Sequence, residues 1–353
     1  MRDTSLSRCA MRIAGFAIAT VLALLIQDGA SPAASFDCKK ATTVFEKTVC
    51  VTPELSQADD ALAQGFAQAL EPLSPTGSAA LRDSERAWLR YAATVCRLDG
   101  VKRKPRHYSL APKECLETEY GLRLASLGTA ASMIDGVLVR GVVLYSADPR
   151  TDPDEEENGY GIGFNTSVLA YPQIDHPRDE AESAWNQYIA RRVDEWKKDR
   201  NGFVRELRYD DLAFTVETIL VTLQYSVASG GVHPDSLLYP VTWLKRQNRP
   251  LVAEDVLDRA KKWQEPLAEA CLKDLLARAE PGEGADYVKI PAKLLPRVSD
   301  AENWLVTSAG ISVQFAAYEI ASNYRIGLPR CLVPWRALTP YLVAKPALSI
   351  PPR

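Results

Sequence analysis

Ser229-Gly230-Gly231-Val232-His233-Pro234 places a hydroxyl and an imidazole on either side of a glycine pair. Glycine opens backbone angles closed to other residues and proline fixes the exit, so this segment reads as a tight turn at a strand end. Such a turn presents Ser229 and His233 at a rigid position. Two readings stay open: a partner-binding loop, or a structural turn with a hydrogen-bonded histidine. His233-Pro234-Asp235 is also half of a metal site. The other histidines, His107 and His176, lack companion ligands at diagnostic spacing, so no metal is expected. Tyr318-Glu319 is the second candidate, because tyrosine buries a ring while keeping a polar tip and is enriched at interface anchors. A plain tyrosine at the edge of a core is the competing reading.

Catalytic signatures are missing. The chain has no G-x-S-x-G, no H-E-x-x-H and no phosphate loop. Paired carboxylates of the glycosidase kind leave no local spacing and stay open. The expectation is a protein that acts by binding rather than by catalysis, without a cofactor.

Of seven cysteines, Cys9 lies in an N-terminal stretch that reads as a signal peptide. Arg2, Arg8 and Arg12 form a basic start, and the 14 residues from Ile13 to Ile26 form a weakly polar to apolar run. Small residues follow from Gly29 to Ser35. These are the three parts of an export signal, and the run is shorter than the roughly 20 residues of a membrane span. Residues 1–35 are therefore expected to be removed, leaving a periplasmic or secreted chain with no membrane anchor. Cys38, Cys50, Cys96, Cys115, Cys271 and Cys331 remain, an even count that favours disulfides outside the cytoplasm. No C-x-x-C or H-x3-H spacing supports zinc instead.

The formal charge of −3 becomes −4 once three arginines and two aspartates leave with residues 1–35. No basic tract suits a nucleic-acid backbone. The acidic run from Asp152 to Glu157 reads as a solvated hairpin tip, with attraction of a cationic partner as the alternative.

These residues need elements to hold them. Leu55, Ala58, Leu62, Phe66 and Leu70 recur at three- and four-residue steps, the stripe of an amphipathic helix. Thr52-Pro53-Glu54 opens it as N-cap, N1 proline and early acid. Pro72 to Gly77 breaks it. A second helix carries Leu81, Trp88, Leu89 and Val95, and a third carries Leu116, Tyr120, Leu124 and Leu127. Leu98 to Pro112, with its basic cluster, is a loop. A Cys96–Cys115 bridge would clamp this helix pair, leaving Cys38 with Cys50 by elimination and Cys271 with Cys331.

Past Asp135 the period changes. Strands are expected at Val137–Val139, Val142–Tyr145, Gly161–Leu169, within Ala213–Val227, and at Trp304–Val306, Ile311–Phe315 and Cys331–Val333. Helices are expected at Glu180–Lys198, Trp263–Ala279 and Trp335–Leu342. The fold class that follows is α+β in two domains: a disulfide-bonded, all-helical domain over 36–133, and an α+β domain with a mixed or antiparallel sheet over 134–353.

Two resemblances sharpen this. Phe36-Asp37-Cys38-x-x-Ala41, Glu46-Lys47-x-x-Cys50 and Pro53-Glu54-Leu55-x-x-x-Asp59 resemble the start of an LprI-type domain. Glu85-Arg86-Ala87-Trp88-Leu89 with Cys96, and Cys115-Leu116 with Tyr120 and Arg123, match its remaining landmarks. The chain departs from that pattern at Ala92-Ala93, where an Arg-Asp pair is usual. The family is named for a lysozyme inhibitor.

Over about 138–343 the chain is similar to the domain shared by RsiV-type anti-sigma factors and PdaC-type deacetylases. Gly230-Gly231-x-His233-Pro234, Tyr318-Glu319-Ile320, Gly327 and Val333-Pro334-Trp335-x-x-Leu338 carry the likeness, preceded by Tyr171-Pro172-Gln173-Ile174. Ala317 stands where a proline often precedes the Tyr-Glu pair. In RsiV-type proteins this domain binds lysozyme. The two resemblances imply a partner such as a lysozyme-type muramidase, contacted through Ser229 to Pro234 and Tyr318-Glu319. Another envelope protein or peptidoglycan is the alternative partner.

Overall fold

The computed structural model describes residues 34–101, 110–149, 164–198, 204–228, 234–278, 291–316, 319 and 330–350. The chain opens with helices α1 (Val44–Val51), α2 (Pro53–Leu70), α3 (Pro75–Val95) and α4 (Pro112–Gly128). Thr43 and Glu46 form a reciprocal capping box at α1, satisfying amides that the first turn leaves unbonded. Thr52 does stand at the N-cap of α2, but its side chain makes no capping bond. Its backbone already closes α1 through Val49 O, leaving one residue between the two helices. Leu55 and Leu62 of α2, Leu81 and Trp88 of α3, and Leu116, Tyr120 and Leu127 of α4 pack into one apolar core.

The six cysteines among the described residues are paired as Cys38–Cys50, Cys96–Cys115 and Cys271–Cys331. The first ties the segment before α1 to that helix. The second joins the end of α3 to the start of α4.

A seven-stranded sheet follows in chain order: β1 (Ala131–Ile134), β2 (Val137–Pro149), β3 (Phe164–Ile174), β4 (Val204–Phe214), β5 (Thr218–Ala228), β6 (Asp235–Leu244) and β7 (Arg249–Pro250). Asp135 and Gly136, at φ 48° and 76°, make the two-residue turn that suits a twisted hairpin. Every neighbouring pair is antiparallel except β3 with β4, which is parallel. A parallel pair needs a crossover, and α5 (Glu180–Lys198) supplies it. Trp185, Ile189 and Val193 recur every four residues along α5 and bury against the sheet with Leu207, Ile219 and Leu223. The sheet is thus mixed, and the fold is α+β.

The third core forms around a small antiparallel sheet of β8 (Trp304–Val306), β9 (Gly310–Gln314) and β10 (Arg330–Pro334). Helices α6 (Gln264–Arg278), α7 (Pro291–Ser299) and α8 (Trp335–Leu338) accompany it. Ile311, Val313 and Phe315 are fully buried, as their alternation predicts.

The helical region is bolted to the large sheet. Ser84 Oγ of α3 donates to Val143 O of β2 at 2.7 Å. Asp175, just past β3, accepts from the N–H and Oγ of Ser74, the N-cap of α3, at 2.6 and 3.0 Å. Arg140 of β2 reaches the same carboxylate at 3.1 Å. Gly77 lies so close that any side chain there would overlap Asp175.

Glu119 of α4 faces Tyr91 of α3 and Tyr145 of β2, and burial pushes its carboxyl up to about 7 from the ordinary 4.5. Above pH 4.5 the unfolded chain releases this proton while the folded chain keeps it until about pH 7. Stability therefore falls as pH rises through that window, by up to about 3 kcal/mol. Glu119→Gln is expected to raise the urea midpoint at pH 8 and leave it unchanged at pH 4. An equal effect at both values would contradict this account.

Candidate functional site

The helical region encloses a cleft of about 770 Å³. One wall is the segment entering α1, from Thr42 to Glu46, joined by Ser35 and Phe36. Leu62, Ala63 and Phe66 of α2 and Leu89 and Ala93 of α3 supply apolar walls, and Leu98 to Gly100 close one end. Half-exposed Val44 and Leu89 stand at the cleft.

Its polar groups are held from behind. Asp59 of α2 accepts from Ser35 N–H and Oγ at 2.8 and 2.6 Å through one carboxylate oxygen. Tyr120 of α4 donates its hydroxyl to the other at 2.8 Å. Burial, and then the Asp59 carboxylate, push the Tyr120 phenol well above its ordinary value. Glu85 of α3 pairs with Arg123 of α4 at 2.8 Å, and Arg123 is 1% exposed. Arg123 also donates to Tyr145 OH at 3.4 Å and sits over that ring. Glu46, spent on the α1 cap, has its carboxyl held below the ordinary value by the Thr43 and Thr42 amides.

The residues that carried the first resemblance thus converge in space. Phe36, Asp59, Glu85 and Leu89 line the cleft, while Tyr120 and Arg123 anchor Asp59 and Glu85. Residues 38–127 match the family described as Lysozyme inhibitor LprI. That span is a minority of the 353 residues. Ala93, where the chain departs from the usual LprI-type pattern, keeps its part of the wall apolar.

Among solved structures, a DUF3298 family protein from Pseudomonas aeruginosa is 16% identical, with a TM-score of 0.44, covering 63% of this chain and all of its own. A DUF3298 family member from Bacteroides fragilis is 12% identical, with a TM-score of 0.41, covering 61% of this chain and 96% of its own. No curated protein matches the chain.

The second set of expected contacts falls largely outside the described residues. Ser229, Gly230, Gly231 and His233 lie there, as does Tyr318. The flanking strands β5 and β6 are antiparallel partners whose last pair is Val227 with Asp235, and Pro234 precedes that pair half-buried. Glu319 is described, and its carboxylate is occupied within the fold. It accepts from Ala316 N–H at 2.8 Å and pairs with Arg297 at 3.2 Å. The acidic Asp152 to Glu157 also lies outside the described residues. Among the described residues, no group of three or more metal-ligating side chains comes together, and no helix is long and apolar enough to cross a membrane.

The cleft is the feature that sequence reasoning passed over. Leu62, Phe66 and Leu89 read as helix stripe, Leu98 to Gly100 as loop and Ser35 as the end of the export signal, while Phe36, Asp59 and Glu85 enter only as landmarks of the LprI-type pattern. The available signal was the shared membership of Asp59, Glu85, Tyr120 and Arg123 in one family pattern.

Proposed function

We propose that this protein is a non-catalytic, exported binder and inhibitor of lysozyme-type muramidases, acting in the periplasm or outside the cell. The match of residues 38–127 to the LprI lysozyme inhibitors carries this reading. The three disulfides and the export-type N-terminus agree with an oxidising compartment. The likeness of residues 138–343 to lysozyme-binding RsiV-type domains supports it from the other half of the chain. Inhibition needs only a preformed surface that covers the substrate groove, and a bridged scaffold supplies one at low ordering cost.

Titrating the purified mature chain against a basic lysozyme-type muramidase acting on cell-wall sacculi tests it. Activity is expected to fall to near zero once inhibitor and enzyme are equimolar at micromolar concentration, with a complex recovered by pulldown. Full muramidase activity and no complex would sink the reading. Turnover of sacculi by the protein alone would replace it with a hydrolase.

A further inference from the structure

We infer that the export cut falls between Ala33 and Ala34, two residues before the end at Ser35 that the small-residue run suggests, so that the mature chain begins Ala34-Ser35-Phe36. This deepens the export reading and rests on it. Cleavage of an export signal needs small side chains at the residue before the cut and two residues before that one. From Gly29 to Ser35, three pairs of Gly, Ala or Ser have that spacing. Ala33 with Ser35 opens the chain at Phe36, and Ser31 with Ala33 opens it at Ala34. Gly29 with Ser31 puts the cut at the bond to Pro32, where a ring replaces the free amide.

Packing chooses between the first two. Ala34 is 7% exposed and belongs to the apolar core of the helical region, with Phe45, Val49 and Leu55. Ser35 gives both its N–H and its Oγ to Asp59, a residue that is itself 8% exposed. A cut after Ser35 empties the Ala34 place in the core. It also takes both Ser35 donors from the Asp59 carboxylate and leaves it the Tyr120 hydroxyl. Bonds to a charged group are stronger than those between neutral groups, so their loss is costly.

A cut after Ala33 keeps all of these contacts. Hydrolysis of the Ala33–Ala34 peptide bond leaves a carboxylate on Ala33 and an α-ammonium on Ala34. Among the described residues the Asp59 carboxylate accepts only from neutral donors. An ammonium one residue from Ser35 brings it an opposite charge. Ser35 and Phe36 both line the cleft, so the earlier cut delivers that wall intact to the partner.

The test is to express the full chain in a bacterium with a periplasm and to recover the exported protein. Intact mass and N-terminal sequencing identify its first residue, and Ala34 is the expected one. Phe36, Pro32 or any other start would overturn the assignment. A chain that keeps residues 2–33 and stays inside the cell would instead remove the export reading. A second measurement tests the cause. Chains beginning at Ala34 and at Phe36, each with all three bridges formed, are compared by thermal unfolding. The longer chain is expected to melt about 3 °C or more higher, and Asp59→Asn to narrow that gap. Equal midpoints would overturn the holding of Ala34 and Ser35 in the fold, and a gap unchanged by Asp59→Asn would overturn the role given to that carboxylate.

Discussion

Replacing Asp175 by alanine is expected to destabilise the folded chain by about 3–5 kcal/mol, the cost of breaking a buried, hydrogen-bonded charge pair. The side chain is fully buried and serves two segments that are distant in sequence. It accepts two bonds from Ser74, whose own hydroxyl caps α3 through Gly77 N–H at 2.9 Å. It also holds Arg140 of β2, whose side chain is 16% exposed. Without the carboxylate, the cap and the guanidinium lose their acceptor in a site closed to water. His176 also touches Asp175, at 3.4 Å, but it is mostly exposed, and His176→Ala should change little. Asp175→Asn keeps an acceptor for Ser74 and should fall between parent and alanine variant. Urea unfolding measures all three, and a loss below about 1 kcal/mol for Asp175→Ala would refute the bolt.

Removing the Cys271–Cys331 bridge, with both cysteines changed to alanine, is expected to cost about 4 kcal/mol. The two sulfurs close a loop of 60 residues, the longest of the three, and the entropy taken from the unfolded chain grows with loop length. Cys96–Cys115, closing 19 residues, is worth about 3 kcal/mol on the same basis. The longer bridge also fastens α6 to β10 inside the third core, where both cysteines are fully buried. Asp274 reinforces that contact by accepting from Leu332 N–H at 3.0 Å. Urea midpoints of parent and double variant, compared under oxidising conditions, give the difference. A change below about 1 kcal/mol would contradict the loop-closure account.

Local pattern carried much of the fold. The bounds of α5 match the expected Glu180–Lys198, and β8 to β10 fall on their apolar runs. Of the cysteine pairs, Cys96–Cys115 joins two helix ends that spacing marks, while Cys38–Cys50 is expected only by elimination. Four strands, β1, β4, β6 and β7, are not among the expected ones, and two of them show why. In β4, Val204–Phe214, charged residues interrupt the apolar ones, and Arg205 is among its buried side chains. In β6, Pro240 reads as a breaker. The structure accommodates it because β7 pairs only with Trp243 and Leu244, so β6 has one strand partner at Pro240.

What the sequence determined by itself is therefore whatever depends on near neighbours: helix stripes, turn residues, an even set of cysteines and a family pattern in the first third of the chain. Tertiary structure alone decided the bolt and the cleft. Ser74 and Asp175 are 101 residues apart, and the cleft draws on residues from Ser35 to Gly100 across three helices. Periodicity says which face of an element is buried, not which distant face it meets. Hydrogen bonds between polar groups on different elements exist only once packing has brought those elements to within about 3 Å of one another.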